Sequence, residues 1–361
     1  MTEPYQILIL YRPSHLLEES EFLSSQNSDP TVQLVDAALL KEGFDTQIIL
    51  VGEDIEEVLR RYDTASTVIF NYCDGYHDGP KGYDPITGLY EALGFAYTGA
   101  DDSALLQACH KSIAKAQMIR HGIPTPTYRV FDNCNVNDWN LFPAIVKPNG
   151  YHASYGITQK AVVHSHQELK DQVEYLLEEW QQEALVEDFI GGQEFRVSLW
   201  GNAELEVLPL MSVTYLQAPD PAEAFQDYDT KWDESRMHFE IPAQVKPSVK
   251  AHIEKVAKAT YRATGMRDYG GIDLRLRGDM PYILDPNHNP DISEVSFIVR
   301  MAATIGYDYG EVLARIVRLA AMRRTRHFVQ LPIPIMADLA LEETVAVRAI
   351  KRPRRRSMSN R

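Results

Sequence analysis

The sequence is poor in the features that mark a disulfide scaffold, a zinc module, a membrane protein or a nucleic-acid binder. It holds three cysteines, Cys73, Cys109 and Cys134, far apart and with no CxxC pair. That excludes a disulfide framework and zinc-finger spacing, so the three read as small buried side chains. No apolar run approaches the ~20 residues that cross a bilayer. Lys and Arg number 36 against 51 Asp and Glu, a formal net charge of -15. A nucleic-acid partner would need a basic surface to release phosphate counterions, and none is on offer. The opening MTEPYQILILYRP has a short apolar run without a basic flank, so it reads as a first strand and not as a signal peptide. There is no internal repeat. What remains, 45% hydrophobic and 24% charged over 361 residues, is the composition of a globular enzyme of two or three domains, expected in the cytoplasm.

Strand and helix signals alternate through the first hundred residues. Gln6 to Tyr11 reads as a buried strand, Thr31 to Gly43 as an amphipathic helix closed by glycine, and Thr46 to Val51 as a second strand. Ile55 to Tyr62 reads as helix and Thr67 to Asn71 as a third strand. This order predicts a parallel, doubly wound sheet with ligands beyond the carboxyl ends of its strands. Tyr72-Cys73-Asp74-Gly75 falls at one such end, as a plain turn or as a substrate contact.

After a short helix at Leu89 to Gly94, Asp101, Asp102 or Ser103 caps ALLQACHKSIAKAQMIRHG, which reads as one helix ended by Gly122, Pro124 and Pro126. Lys111 and Lys115 lie four apart on one face of it, the usual pattern of a solvated face. Leu141 to Lys147 reads as a strand ending on a lysine, followed by PNGYHASYGI. That loop matches neither GxxxxGK[ST] nor GxGxxG, yet its small residues suit backbone N–H groups that cradle phosphate. Ser165 to Gln182 is a capped helix, and Ala184 to Gly201 is strand, Gly-Gly turn, strand, with Glu187 closing the first and Glu194 opening the second. Residues 216–239 are polar, aromatic and acidic, a lid-like loop whose only lysine is Lys231. Ser248 to Gly265 and Ile298 to Ala321 read as helices, and the closing RPRRR as a solvated tail or a partner-binding arm.

The segment Gly270 to Ser293, GGIDLRLRGDMPYILDPNHNPDIS, carries the densest chemistry. Ile272, Leu274 and Leu276 alternate with Asp273, Arg275 and Arg277, and Gly278-Asp279 marks a turn before a second strand. Asp285 and Asn287, two apart, share a face. If the strands pair, Asp273 joins them, and two carboxylates and an amide make a hard oxygen site of the kind Mg²⁺ takes with phosphates and water. Asp-Pro and Asn-x-Asn-Pro are also ordinary loop formers.

Six features in fixed order carry a resemblance: a helical lysine, a strand-end lysine, a small-residue loop, LVEDFIGGQEFRV, a lid lysine, and ID…LDPN. From about Thr67 to Ile305 the chain resembles the ATP-grasp ligases, and within them the D-alanine–D-alanine ligase branch. The resemblance implies an N-terminal α/β domain over 1–100, a central subdomain over 101–183, a C-terminal subdomain over 184–325 with its lid at 216–239, and a tail over 326–361. Helices and sheets would clamp ATP between the two later parts. Lys111 and Lys147 would contact the phosphates, under a loop that includes Ala153, Ser154 and Gly156. Glu187 and the backbone of Phe189 and Ile190 would meet adenine, Glu194 the ribose hydroxyls, and Lys231 the terminal phosphate. Asp273, Asp285 and Asn287 would hold one or two Mg²⁺, with Mn²⁺ as an alternative. Ser296 falls where the branch contacts the second amino acid's carboxylate. A homodimer is implied by analogy.

The departures bear on the substrate. The branch's arginine two residues before the first metal Asp is Gly271 here, and its glycine after the last motif's proline is Asp291. Its N-terminal Gly-Gly-Glu turn is absent around Tyr11 to Ser20, where Glu18 or Glu19 would have to substitute, and the Asp before the helical lysine is His110. The expected activity is therefore an ATP-dependent ligase that phosphorylates an acceptor oxygen and joins it to an amino acid's amine, with a changed electrophile. Arg275 is the expected replacement for the missing charge, and His152 and His288 are candidate proton carriers. Specialised metabolism fits, such as joining an amino acid to mycosporine-glycine. A divergent D-alanine–D-alanine ligase, an L-amino-acid or dipeptide ligase, and a non-catalytic nucleotide-binding module are the competing readings.

Overall fold

The computed structural model describes residues 5–12, 30–73, 76–77, 83–84, 86–150, 156–216, 224–227 and 233–325. In chain order the first part runs β1 (Gln6–Tyr11), α1 (Pro30–Lys41), β2 (Asp45–Leu50), α2 (Ile55–Leu59), β3 (Thr67–Tyr72), a small antiparallel pair β4 (Tyr76–His77) and β5 (Tyr83–Asp84), α3 (Thr87–Leu93) and β6 (Ala96–Tyr97). β2-β1-β3-β6 form one parallel sheet. A parallel strand covered on both faces reads as a continuous apolar run, which is what QILILY is. Val32, Val35 and Leu39 put one stripe of α1 onto this sheet's core.

Two helices follow where the sequence reads as one. α4 (Asp102–Cys109) is capped by Asp101, whose carboxylate accepts from the Ala104 N–H. The backbone then turns extended at His110, and α5 (Lys111–Arg120) starts afresh. Asn149 holds that start: its carbonyl accepts from the Lys111 N–H and its side chain from the Ser112 N–H. A long-range cap of this kind leaves no local mark, so the break is invisible in the helix's own residues. Lys111 consequently sits on the first turn of α5.

β7 (Tyr128–Phe131), β8 (Ala144–Pro148), β9 (Val162–Val163) and β10 (Ala184–Asp188) make a second, antiparallel sheet in the order β7-β10-β8-β9, covered by Leu169, Val173 and Leu176 of α6 (His166–Glu179). The third sheet contains β11 (Glu194–Gly201), β12 (Leu205–Val207), β13 (Met211–Tyr215), β14 (Met237–Glu240), β15 (Tyr269–Arg277) and β16 (Met280–Asn287). Its order is β14-β13-β11-β15-β16, with β12 beside β11. β10 and β11 therefore belong to different sheets. Gly192, at φ 109°, makes the crossing; a Cβ there would strike the Leu276 carbonyl, so only glycine fits. α7 (Pro247–Ala263) buries Val249, Ile253, Val256 and Ala257 against the third sheet.

The last helical stretch is also two helices, α8 (Phe297–Ala303) and α9 (Tyr309–Thr325), separated at Gly306 with φ 97°. α9 returns to the first sheet, where Val312, Leu313, Ile316 and Val317 join the core of Ile7, Ile9 and Val68. Asp268 fastens this return. It is fully buried, with φ 61°, a conformation that Asp tolerates. It accepts from the Gly99 N–H, from Asn202 Nδ2, and from Arg323 Nε and Nη2 at 3.0 and 2.8 Å. Asp268→Ala removes the carboxylate that neutralises Arg323 and leaves that charge on the Tyr97 carbonyl, which is expected to cost about 3 kcal/mol, read as a lower denaturant midpoint at unchanged m-value. A midpoint equal to wild type would contradict that role. Among the described residues no helix is long and apolar enough to cross a membrane.

Candidate active site

One cavity of about 730 Å³ lies between the second and third sheets. Most of the residues singled out in the sequence line it, and the strand register explains why. Across β11 and β15, Glu194 opposes Arg275, Arg196 opposes Asp273 and Ser198 opposes Gly271. Opposed residues project from the same face, so this face is polar, while Phe195, Val197, Ile272 and Leu274 fill the core behind it.

The β15–β16 pairing contains an irregularity between Asp273 and Leu274. Counting back from the Arg277–Met280 pair, a regular ladder would set Leu284 opposite Asp273 and turn Asp285 to the core face. The observed register instead pairs Leu274 with Ile283 and Asp273 with Asp285, and leaves Leu284 as the extra residue. One added residue flips the following side chains to the other face. The bulge is what brings the two carboxylates together, with Asn287 opposite Gly271 on the same side.

Cations already meet these carboxylates. Lys111 Nζ lies 2.5 Å from Asp285 Oδ2, Arg196 Nη1 lies 2.5 Å from Asp273 Oδ1, and Asn287 Nδ2 donates to Asp273 Oδ2 at 3.2 Å. Burial pushes the Asp273 carboxyl above its ordinary value; Arg196 opposes the shift, and Glu194 and Asp285 add to it. Among the described residues no three His, Cys, Asp or Glu side chains converge so as to hold a metal by themselves. Two carboxylates and an amide oxygen are a hard donor set that fits Mg²⁺ provided phosphate or water oxygens complete it.

A second charged group lies deeper. Lys115 and Glu187 are each 1% exposed. Glu187 stands between Lys115 Nζ at 3.2 Å and Lys147 Nζ at 3.3 Å. Burial would raise the Glu187 carboxyl, but the two ammonium groups prevail and hold it below its ordinary value. Burial lowers Lys115 to about 8. Lys115 also donates to Thr125 Oγ1 and to the carbonyl of the bulged Leu284. The sequence pattern of a solvated lysine face is thus corrected: α5 turns both lysines inward. Beside Lys147 the cavity wall becomes apolar at Ile145, Ile157, Phe189 and Phe225, a slot suited to a flat ring.

Several of the expected site residues already have partners within the chain. Arg275, expected to act on the acceptor, has its guanidinium bound to other parts of the chain. It forks onto Glu194 Oε2 at 2.9 and 2.8 Å, donates to the Ile190 and Ala224 carbonyls, and stacks on Phe189. Four of its five N–H donors are spent in this way, securing the turn between β10 and β11. Glu194, expected to hold ribose, gives its other oxygen to Tyr215 at 2.9 Å and Arg196 at 3.2 Å. A carboxylate offers about four lone-pair sites, so Glu194 is saturated. The Phe189 N–H donates to the Pro143 carbonyl and its own carbonyl accepts from Arg277, which leaves that carbonyl's second lone pair for a ligand. The Ile190 carbonyl takes Arg275, although the residue lines the cavity. His288 is buried and bonded to the Thr264 carbonyl at 2.7 Å, a structural histidine.

Ser296 lines the cavity, and its Oγ is buried with no partner among the described residues. Gly156 is described at φ 74°, with Pro148, Leu176 and Trp180 crowding its Cβ position. Ala153, Ser154, His152 and Lys231 lie outside the described residues, as do Glu18 and Glu19. Sequence reasoning passed over Arg196. Its signal was the alternation Glu194, Arg196, Ser198 along β11, which places an arginine on the polar face of a strand buried throughout.

The family model described as D-ala D-ala ligase C-terminus matches residues 117–318. The chain is 28% identical over 296 residues to a D-alanine–D-alanine ligase of Desulforamulus reducens, covering 78% of this chain and 90% of the relative. It is 30% identical over 295 residues to a D-alanine–D-alanine ligase of Acidiphilium cryptum, covering 80% and 92%. The crystal structure of a D-alanine–D-alanine ligase from Bacillus anthracis complexed with ATP superposes with a TM-score of 0.67 at 21% identity, covering 89% of this chain and 99% of that one. The fold is therefore that of ATP-grasp ligases.

Proposed function

Because the chain belongs to the D-alanine–D-alanine ligase family, and is thereby an ADP-forming ligase that makes C–N bonds, we propose that it phosphorylates an acceptor oxygen and joins that acceptor to the amine of an amino acid. The observation that carries this reading is the facing pair Asp273 and Asp285 beside Lys111 and Lys147 in one cavity. Phosphoryl transfer needs alignment and charge neutralisation more than covalent help, and this cavity concentrates both.

In this reading the apolar slot takes the adenine of ATP, with Glu187 at its edge. Lys111 and Lys147 neutralise phosphate oxygens. Asp273, Asp285 and Asn287 hold Mg²⁺, or Mn²⁺ in its place, which supplies further charge neutralisation when bound. Ala153, Ser154, Gly156 and the lid with Lys231 are assigned by family likeness to closing over the phosphates. The acceptor oxygen attacks the γ-phosphorus, the bond from that phosphorus to its bridging oxygen breaks, and ADP leaves with the electron pair. The neutral amine then attacks the activated carbon, inorganic phosphate leaves with the C–O pair, and the proton on nitrogen passes to solvent. The unpartnered hydroxyl of Ser296 supports a contact to the amino acid's carboxylate.

The electrophile is the part that differs. Gly271 brings no side chain to the cavity and Asp291 brings a carboxylate, whose oxygens accept from the Ser293 N–H and hydroxyl. An acceptor other than D-alanine, such as the ring carbonyl of mycosporine-glycine, fits that change. The test is ADP release with Mg²⁺ and ATP across a panel of free amino acids, with and without mycosporine-glycine, with product masses read. ADP and a new imine mass only with both components support the specialised ligase. ADP with D-alanine alone replaces it by D-alanine–D-alanine ligation, and ADP with other amino acids alone by dipeptide ligation. No ADP with any pair, despite bound nucleotide, would sink the catalytic reading in favour of a binding module.

A further inference from the structure

Arg196 is the charged group that the roles above leave without a task. It is 8% exposed and lines the cavity. Two of its three nitrogens are held: Nη1 by Asp273 at 2.5 Å, and Nη2 by Gln226 at 2.9 Å and Glu194 at 3.2 Å. The Nε–H is buried and has no partner among the described residues. A buried donor on a charged group is costly to leave unpaired, so such a group marks a place that a ligand completes. The second orphan on this wall is the Ser296 hydroxyl. Phe297, the residue after Ser296, sets its ring centroid 5.4 Å from the Arg196 guanidinium carbon.

The register gives the orphan its space. Arg196 opposes Asp273, and the next residue on the same face of β15 is Gly271. The backbone does not demand glycine there. Its φ is not in the left-handed region, and an added Cβ would meet nothing closer than Pro290 at 3.5 Å. The absent side chain opens the cavity diagonally across from Arg196, within the reach of a long side chain. A guanidinium presents planar donors matched to carboxylate and phosphate oxygens.

We propose that Arg196 is a substrate-contacting residue whose Nε–H and guanidinium charge bind an oxyanion at the acceptor end of the cavity. This rests on the ligase reading. The oxyanion belongs to the acceptor's own carboxylate or to the phosphoryl group being transferred, and Gly271 is the space it occupies.

The test compares R196A, R196K and the double variant R196A/G271R. Calorimetric titration with ADP and Mg²⁺ is expected to show that each variant still binds ADP, with an affinity that reports the loss of the Arg196–Asp273 pair apart from the acceptor step; if R196A binds no ADP, R196K carries the comparison. With the acceptor that supports ADP release in the panel, kcat/KM is expected to fall about 100-fold in R196A, the scale of one lost oxyanion donor. It stays about tenfold low in R196K, which keeps the charge and loses the Nε donor. It recovers about tenfold in R196A/G271R, which returns a guanidinium to the same face from β15. A rise confined to the acceptor's KM assigns the oxyanion to the acceptor's carboxylate, and a fall confined to kcat assigns it to the transferred group. Wild-type kinetics in R196A, full rescue by lysine, or no rescue by G271R would each overturn the proposal. Should wild type release no ADP with any pair, the ligase reading fails while the subsite remains measurable. Inorganic phosphate is then titrated into the ADP–Mg²⁺ complex: a Kd about tenfold weaker in R196A upholds the oxyanion site, and an equal Kd overturns it.

Discussion

Asp285→Asn is expected to release ADP at roughly a thousandth of the wild-type rate, a loss of ~4 kcal/mol at the transition state. The substitution keeps the shape of the side chain and its hydrogen-bonding reach toward Lys111, now 2.5 Å away, but removes one of the two charges that face each other across the bulge. Asp273 alone, with Asn287, is a weak site for a small hard dication. The effect should also appear without turnover, as a rise of about tenfold in the Mg²⁺ needed for tight ADP binding. Asparagine is a better test than alanine, because alanine would strand the buried Lys111 and mix a folding defect with the catalytic one. Unchanged turnover in a folded Asp285→Asn protein would remove the metal assignment.

The second large effect falls on stability. Glu187→Gln leaves Lys115 and Lys147 around a neutral amide, with Lys115 fully enclosed. Removing one partner of a buried ion pair costs about 3–5 kcal/mol, because the remaining charge is uncompensated. The folding equilibrium should therefore weaken by a factor of roughly 10² to 10⁴. Restoring neutrality with Lys115→Met in the same chain should recover part of that loss, since two removed charges leave less unpaired than one. Chemical denaturation of the two variants gives the comparison. A Glu187→Gln protein as stable as wild type would mean that the three charges do not act as a unit.

How much of this was readable in the sequence depended on how local its cause was. The β15–β16 hairpin was legible because polar and apolar residues alternate over Ile272 to Arg277 and Gly278-Asp279 marks the turn. That Asp273 and Asp285 meet was only half legible. It depends on the bulge at Leu284, and the strands' alternation alone sends Asp285 to the wrong face. The first sheet was legible because its central strands, β1 and β3, are short and mostly apolar runs set between helical stretches. The break at His110 was not, because the residue that caps α5 is Asn149, thirty-seven positions away from Ser112. Lys115 looked like a surface lysine because its partner, Glu187, comes from another strand far along the chain. Arg275 and Arg196 carry the same lesson in opposite directions. Both lie on the polar face of the third sheet. The one chosen from β15 is spent on Glu194, Ile190 and Ala224, while the one overlooked on β11 lines the cavity with a buried Nε–H that has no partner among the described residues. Residue type and strand face placed both in the site, but only the full set of partners distinguishes a brace from a ligand.

The central claim is that an acceptor oxygen is phosphorylated and then leaves as phosphate when the amine attacks. Supplying the acceptor with ¹⁸O at that oxygen and analysing the released inorganic phosphate by mass tests this directly. The account predicts ADP together with phosphate that carries the acceptor's label, in step with formation of the C–N bond. Phosphate bearing only solvent oxygen, or AMP with pyrophosphate in place of ADP, would contradict it.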